Sequence, residues 1–201
     1  ASINTIQEEI ARVDDDGNDK PSKKKVEGQV FLFTGYMVDF PDKKQKTFPA
    51  DKERELRNEI IKKLEYFNAE PNDLAFTGGL SAGSEIIFAE ICAEKGIHVE
   101  VHLPLPEATY IREFVSPGGD AWVERFYKIR SHPLVDEMYQ LENLGTPKDG
   151  DDPFERNNRW ALYSSLIRGI EKVRLIAVWN GLNSKQKDRD ARLARPHMRR
   201  F

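Results

Sequence analysis

Apolar residues along this chain recur at two spacings that alternate with each other. Val30 to Thr34, within QVFLFTG, form a nearly continuous apolar run closed by Gly35, the pattern of a strand buried on both faces. A polar, proline-containing stretch from Asp39 to Pro49 follows. DKERELRNEIIKKLEYF then places Leu56, Ile60, Ile61, Leu64 and Phe67 on one face of a predicted helix, with charges opposite. A short strand at Leu74–Thr77 leads through Gly78-Gly79-Leu80-Ser81-Ala82-Gly83-Ser84 into an apolar helix that Gly96 ends. Ile97 to Leu103 alternates back into a strand stopped by Pro104-Leu105-Pro106.

The remaining chain is read the same way. Ala108–Val115 and Ala121–His132 predict two helices, the second with a stripe of Trp122, Phe126 and Ile129. Residues 134 to 155 are dominated by acidic groups, and they predict an exposed loop around one short strand near Met138–Leu141. Pro153 opens a helix striped by Leu162, Leu166, Ile167 and Ile170, and Lys172–Trp179 is the last strand. Strand and helix alternate throughout, which predicts an α/β fold: a Rossmann-like three-layer sandwich with a mostly parallel central sheet. INTIQEEIARV, residues 3–13, has the spacing of a separate amphipathic helix, and residues 14–25 change to charge, Gly, Pro and Ser. Residues 1–27 are therefore read as an N-terminal helix and charged linker, and residues 28–201 as one ligand-binding domain.

In parallel sheets ligands gather at the carboxyl ends of the strands. Those ends are Thr34-Gly35-Tyr36, Gly78-Gly79, Pro104 to Glu107, and Trp179-Asn180. The glycine loop before a helix start is the sharpest signal among them. Glycines let the backbone approach a bound group, and the helix's free N–H groups attract an anion, so a phosphate is the expected guest. A plain tight turn with Ser84 as the helix N-cap explains the same residues equally well.

Composition narrows the function classes. The formal charge is −3, from 31 basic and 34 acidic side chains, so no general attraction to DNA, RNA or anionic membrane is expected. No apolar run approaches the length of a membrane span and no secretory leader is evident, so a cytoplasmic location is expected. Cys92 is the single cysteine and reads as a small core residue. His98 and His102 lie about 13 Å apart on one strand face, too far to share a metal ion. No metal and no required cofactor are predicted. SPGGDAWVE, residues 116–124, reads as a turn and helix start.

FLFTGYMVD, FTGGLSAGSEIIFAE, VHLPLPEATYIREFV with WVERF, DPFERNNRWALYSSL and LIAVWNG together resemble a known family. It is the SLOG-superfamily sensor domain associated with tetratricopeptide repeats, related to a segment near the TRAF-binding region of apoptosis signal-regulating kinases. The resemblance covers about residues 28–198. It implies a Rossmann-like fold binding a nucleotide or nucleotide-derived signal at the strand ends, in antiphage or conflict signalling. The chain departs from the family at Tyr36, where many relatives carry His, at Glu85, where Asp is common, and at Asn180, where Asp is common after the Trp.

The expected ligand contacts are Thr34, Gly35, Tyr36, Gly78, Gly79, Leu80, Ser81, Gly83, Ser84, Glu85, Pro104, Glu107, Arg156, Asn157, Trp179 and Asn180. Arg156 is included because a cation opening a helix is unfavourable beside the dipole unless an anion is near, although pairing with the acidic loop accounts for it equally. Trp179 could stack on a base or pack as rim. Glu107 could bond a ribose or cap its own helix. Three functions follow: a sensor of a nucleotide-derived second messenger acting on an attached or partner effector; a nucleotide N-glycosidase using Glu85 or Glu107; or an oligomerisation module in which the acidic loop meets the basic segment Lys185–Arg200 of another copy.

Overall fold

The computed structural model describes residues 28–39 and 48–178. The predicted N-terminal helix and linker, Trp179, Asn180 and the basic segment after them lie outside the described residues. Five strands form the sheet: β1 (Val30–Thr34), β2 (Leu74–Thr77), β3 (His98–Leu103), β4 (Val135–Tyr139) and β5 (Val173–Ala177). Their order is β4-β3-β2-β1-β5 and every pairing is parallel. The helices are α1 (Glu53–Tyr66), α2 (Ser84–Glu94), α3 (Glu107–Tyr110), α4 (Asp120–Arg130), α5 (Gln140–Leu144) and α6 (Pro153–Leu166).

Topology sets the layers. From β1 to β4 each strand is added on the same side of the last, so right-handed crossovers put α1, α2 and α4 on one face. The step from β4 to β5 runs back across the whole sheet, and the same handedness puts α6 on the opposite face, where it packs on β1, β2 and β3. This is a three-layer α/β sandwich of Rossmann-like type, as the alternation of elements predicts. Among the described residues, no helix is long and apolar enough to cross a membrane.

The larger core lies under α1, α2 and α4. It contains Phe31, Phe33, Ile86, Phe88, Val99, Val101 and Phe126, all fully or nearly fully buried. Phe33 stacks on Phe88 with centroids 4.2 Å apart, tying β1 to α2. α2 is buried nearly all round because α1 and α4 flank it, which is why its residues are apolar without a clear stripe. Cys92 is buried within it, and burial pushes its thiol well above the usual range, as expected of a core residue. Arg125 joins the three helices: its guanidinium donates to both oxygens of Glu90 (2.8 and 2.7 Å) and to Glu53 (2.7 Å), and it lies over the Trp122 ring.

Two expectations are corrected. The acidic stretch 134–155 is not a loop around a strand near Met138–Leu141: β4 occupies Val135–Tyr139 and α5 follows at Gln140–Leu144. The acidity misleads because Glu137 points inward, its side chain only 9% exposed, where Arg130 Nε donates to it at 2.8 Å. The second correction concerns α6, whose buried residues are Asn157, Ala161 and Ser165. Ile167 and Ile170, expected in its apolar stripe, are 83% and 55% exposed. Small and polar residues face the sheet at i, i+4 and i+8, so the sheet-facing side is not the most apolar one.

Candidate functional site

The strand order reverses between β1 and β5, and in open α/β sheets the ligand crevice opens at the carboxyl ends flanking such a switch. Gly35 and Tyr36 follow β1, the glycine loop follows β2, and Val178 follows β5, its N–H donating to Thr34 O at 2.9 Å. The first turn of α6 arrives at the same edge. Asn157 there is 1% exposed, and its Nδ2 donates to Gly78 O (3.0 Å) and His102 O (2.7 Å), clamping the ends of β2 and β3. Two carbonyl partners fix the orientation of the amide, because only the nitrogen can donate. Its Oδ1 is buried with no partner among the described residues.

The glycine loop is closely packed. Gly83 has φ 136°, and a Cβ on it would lie 2.6 Å from Val38 N and 2.8 Å from Tyr36 O, both backbone atoms. The loop after β1 lies along it: Met37 bridges Gly83, Val38 N–H donates to Ala82 O at 2.7 Å, and Ser84 donates to Tyr36 O through N–H (3.1 Å) and Oγ (2.8 Å). Gly83, not Ser84, is the N-cap residue of α2. The hydroxyl of Tyr110 fills the space over Gly79, 2.1 Å from where a Cβ would stand. Burial raises the Tyr36 hydroxyl above its ordinary range.

The position expected for a phosphate already holds a carboxylate of the chain. Glu85 Oε2 accepts from Ser81 N–H (2.9 Å), Ser81 Oγ (2.6 Å) and Tyr110 Oη (3.4 Å). It serves as the favourable anion of the helix N-terminus. Burial nevertheless raises the carboxyl above its usual range, the three donors opposing that shift. Residue 85 as a whole is half-buried, and Oε1 makes no bond within the described chain. Of the N–H groups in the first turn of α2, that of Ser84 is bonded to Tyr36 O, while that of Ile87 closes on Gly83 O. The N–H groups of Glu85 and Ile86 are the first-turn donors without a backbone acceptor outside the helix among the described residues.

Two expected contacts are bonded elsewhere. Glu107 Oε2 accepts from Tyr139 Oη at 3.0 Å and pairs with Arg130 at 2.9 Å, so it belongs to a network with Glu137 at the edge strand. Arg156 donates to Leu144 O (2.6 Å), Gly145 O (2.9 Å) and Gln140 Oε1 (3.3 Å); it satisfies the open carbonyls at the end of α5, not an acidic side chain. Pro104 directly follows β3 and is buried. Two open clefts, of about 410 and 330 Å³, are lined by described residues, along Asp51–Lys62 and around Lys148–Arg159, and neither includes the glycine loop.

His102 is the buried residue that sequence reasoning missed. Its ring is 0% exposed, stacked against Trp160 (3.9 Å between centroids) with Phe76 edge-on at 5.6 Å, and neither ring nitrogen has a hydrogen-bond partner among the described residues. Glu100 Oε2 stands 4.0 Å from Nε2 but is held by Arg168 at 2.7 Å. Burial lowers the imidazole to about 4. The unfolded chain therefore binds a proton that the native state refuses between about pH 6.5 and 4, and stability contributed by neutral His102 is lost as pH falls through that window. His102→Phe should flatten the pH dependence of the melting temperature between pH 7 and 4.5; an unchanged slope would show that other groups set it.

No group of three His, Cys, Asp or Glu side chains suited to a metal ion occurs among the described residues. No family model, curated protein or solved structure matches the chain.

Proposed function

We propose that this domain is a sensor that binds a nucleotide or nucleotide-derived second messenger, cyclic or ADP-ribose-like, at the carboxyl edge of its sheet and thereby regulates an attached or partner effector. The observation that supports it best is the meeting, at the strand-order switch, of the loops after β1 and β2 with the first turns of α2 and α6. The buried Asn157 Oδ1, without a partner among the described residues, and the Glu85 carboxyl lie in these elements. The resemblance to SLOG-type sensors points the same way, toward antiphage signalling. With Glu85 Oε2 supplying negative charge at α2, its second oxygen suits a ribose hydroxyl or an exocyclic amine.

Isothermal titration against a panel of nucleotide second messengers tests this reading. At least one member should bind, and Glu85→Gln should weaken it about 10- to 100-fold, by loss of a charge-assisted bond. Failure of every member would remove the proposal.

One observation favours a second reading, a nucleotide N-glycosidase. The Glu85 carboxyl is desolvated and raised, a state suited to acid–base work or to stabilising an oxocarbenium-like transition state. Base release from NAD or a nucleoside monophosphate, abolished in Glu85→Gln, would replace the sensor reading.

A further inference from the structure

The two edges of the sheet differ. β4, at one edge, carries Asp136 and Glu137, and charges of this kind keep an edge strand from pairing with another chain. β5, at the other edge, reads Val173-Arg174-Leu175-Ile176-Ala177 and has no acidic residue, lysine or proline to protect it. It pairs with β1, and Val178 N–H donates to Thr34 O of that strand, so alternation turns the backbone groups of Arg174 and Ile176 toward β1 and those of Val173, Leu175 and Ala177 outward. Val173 is already satisfied: its N–H donates to Ile170 O, and its carbonyl accepts from Arg174 Nη1 at 3.0 Å. Leu175 and Ala177 keep their outward N–H and C=O groups, for which the described residues supply no acceptor or donor. Their side chains share the sheet face of Val173, which α6 covers chiefly over β1, β2 and β3; Leu175 is 39% exposed, and Ala177 is exposed.

We propose that two copies of this domain pair antiparallel through β5, joining their sheets edge to edge. A two-fold axis beside Ile176 sets Leu175 opposite Ala177 of the other copy, and Ala177 opposite its Leu175. Both become hydrogen-bonded pairs that exchange N–H···O bonds in each direction, so the open groups of both copies are all used. Moving the axis to Leu175 would instead direct Ala177 at Val173, whose N–H and carbonyl are taken. Side chains fit the same register. Leu175 lies beside the small Ala177 of the other copy, and Ile176 meets its own counterpart on the face of the larger core. Arg174 falls opposite Val178, so no like charges meet across the axis. A second copy supplies this complement by symmetry, without any other sequence having to match it. Antiparallel pairing also points the carboxyl ends of the two sheets in opposite directions, which leaves each candidate site open.

Sedimentation equilibrium of the full chain, without added ligand, tests the pairing. So small an interface should give a dimer with a dissociation constant of about 1–100 μM, and one that persists when salt is raised to about 0.5 M. Leu175→Lys and Ala177→Lys, both at exposed positions, should each weaken the dimer at least tenfold while circular dichroism stays that of the parent. A monomer throughout the concentration range would overturn the proposal. So would a dimer that neither lysine weakens, which would use another surface, or a parent dimer that salt dissolves, which would be held by the acidic and basic segments. Cross-linking reads the register independently. With the buried native thiol removed (Cys92→Ala), Ile176→Cys should form a covalent dimer under mild oxidation at least tenfold faster than Ile167→Cys, a control at an 83% exposed position away from the axis. Equal rates would overturn the pairing.

Discussion

Replacing Gly83 with valine is expected to cost about 3–5 kcal/mol of folding free energy. Two effects add. The residue has φ 136°, a conformation that side chains with a Cβ rarely adopt, and the added atom would lie 2.6 Å from Val38 N and 2.8 Å from Tyr36 O. Both are backbone atoms of the loop after β1, which is held by the Val38–Ala82 and Ser84–Tyr36 hydrogen bonds, so no flexible side chain can swing away. Were the loop an open phosphate cradle, as the glycine pattern suggests, Gly83→Val would stay folded and lose most of its ligand affinity. Here the packing reverses that expectation, because the space over Gly83 is occupied by the chain itself. Urea denaturation of parent and variant measures the difference, and a loss under about 1 kcal/mol would show that the loop after β1 is not held against Gly83 in solution.

Asn157→Asp is expected to have an effect of similar size, about 3–5 kcal/mol at neutral pH. The Asn157 side chain is 1% exposed, and its nitrogen donates to Gly78 O and His102 O. A carboxylate in the same place offers no donor, so two carbonyl oxygens and a buried negative charge would face one another. Protonation restores a single donor. The loss should therefore shrink as the pH is lowered from 7 toward 4.5. Asn157→Leu, which carries no charge, should cost only about 2–3 kcal/mol, from the two carbonyls left without a partner, and should show no such recovery. Denaturation midpoints at pH 7 and pH 5 separate these outcomes; equal stability of Asn157→Asp and the parent would mean that the clamp carries no energy.

Periodicity along the chain is sufficient for the order of the elements. Val30–Thr34 and Leu74–Thr77 are strands with the boundaries that their apolar runs predict, and Pro153 does open a helix, because both signals depend on a few neighbouring residues. A parallel sheet also follows from the alternation, since short connections cannot return a strand in parallel. Beyond that, tertiary structure decides. The glycine loop is visible in the sequence, but whether it is an empty cradle or a filled joint depends on Tyr36 to Val38, more than forty residues away in the chain, and on Tyr110 and Glu85 meeting above it. Arg156 reads as a ligand for an anion because its partners, the carbonyls of α5, belong to a helix hidden in an acidic stretch. His102 carries no local signal at all: only the stacking of α6 on β3 takes its ring out of water and leaves it neutral. Local patterns report which face of an element is apolar; what fills the space opposite that face is set by contacts between distant segments, and this chain's candidate site is made of such contacts.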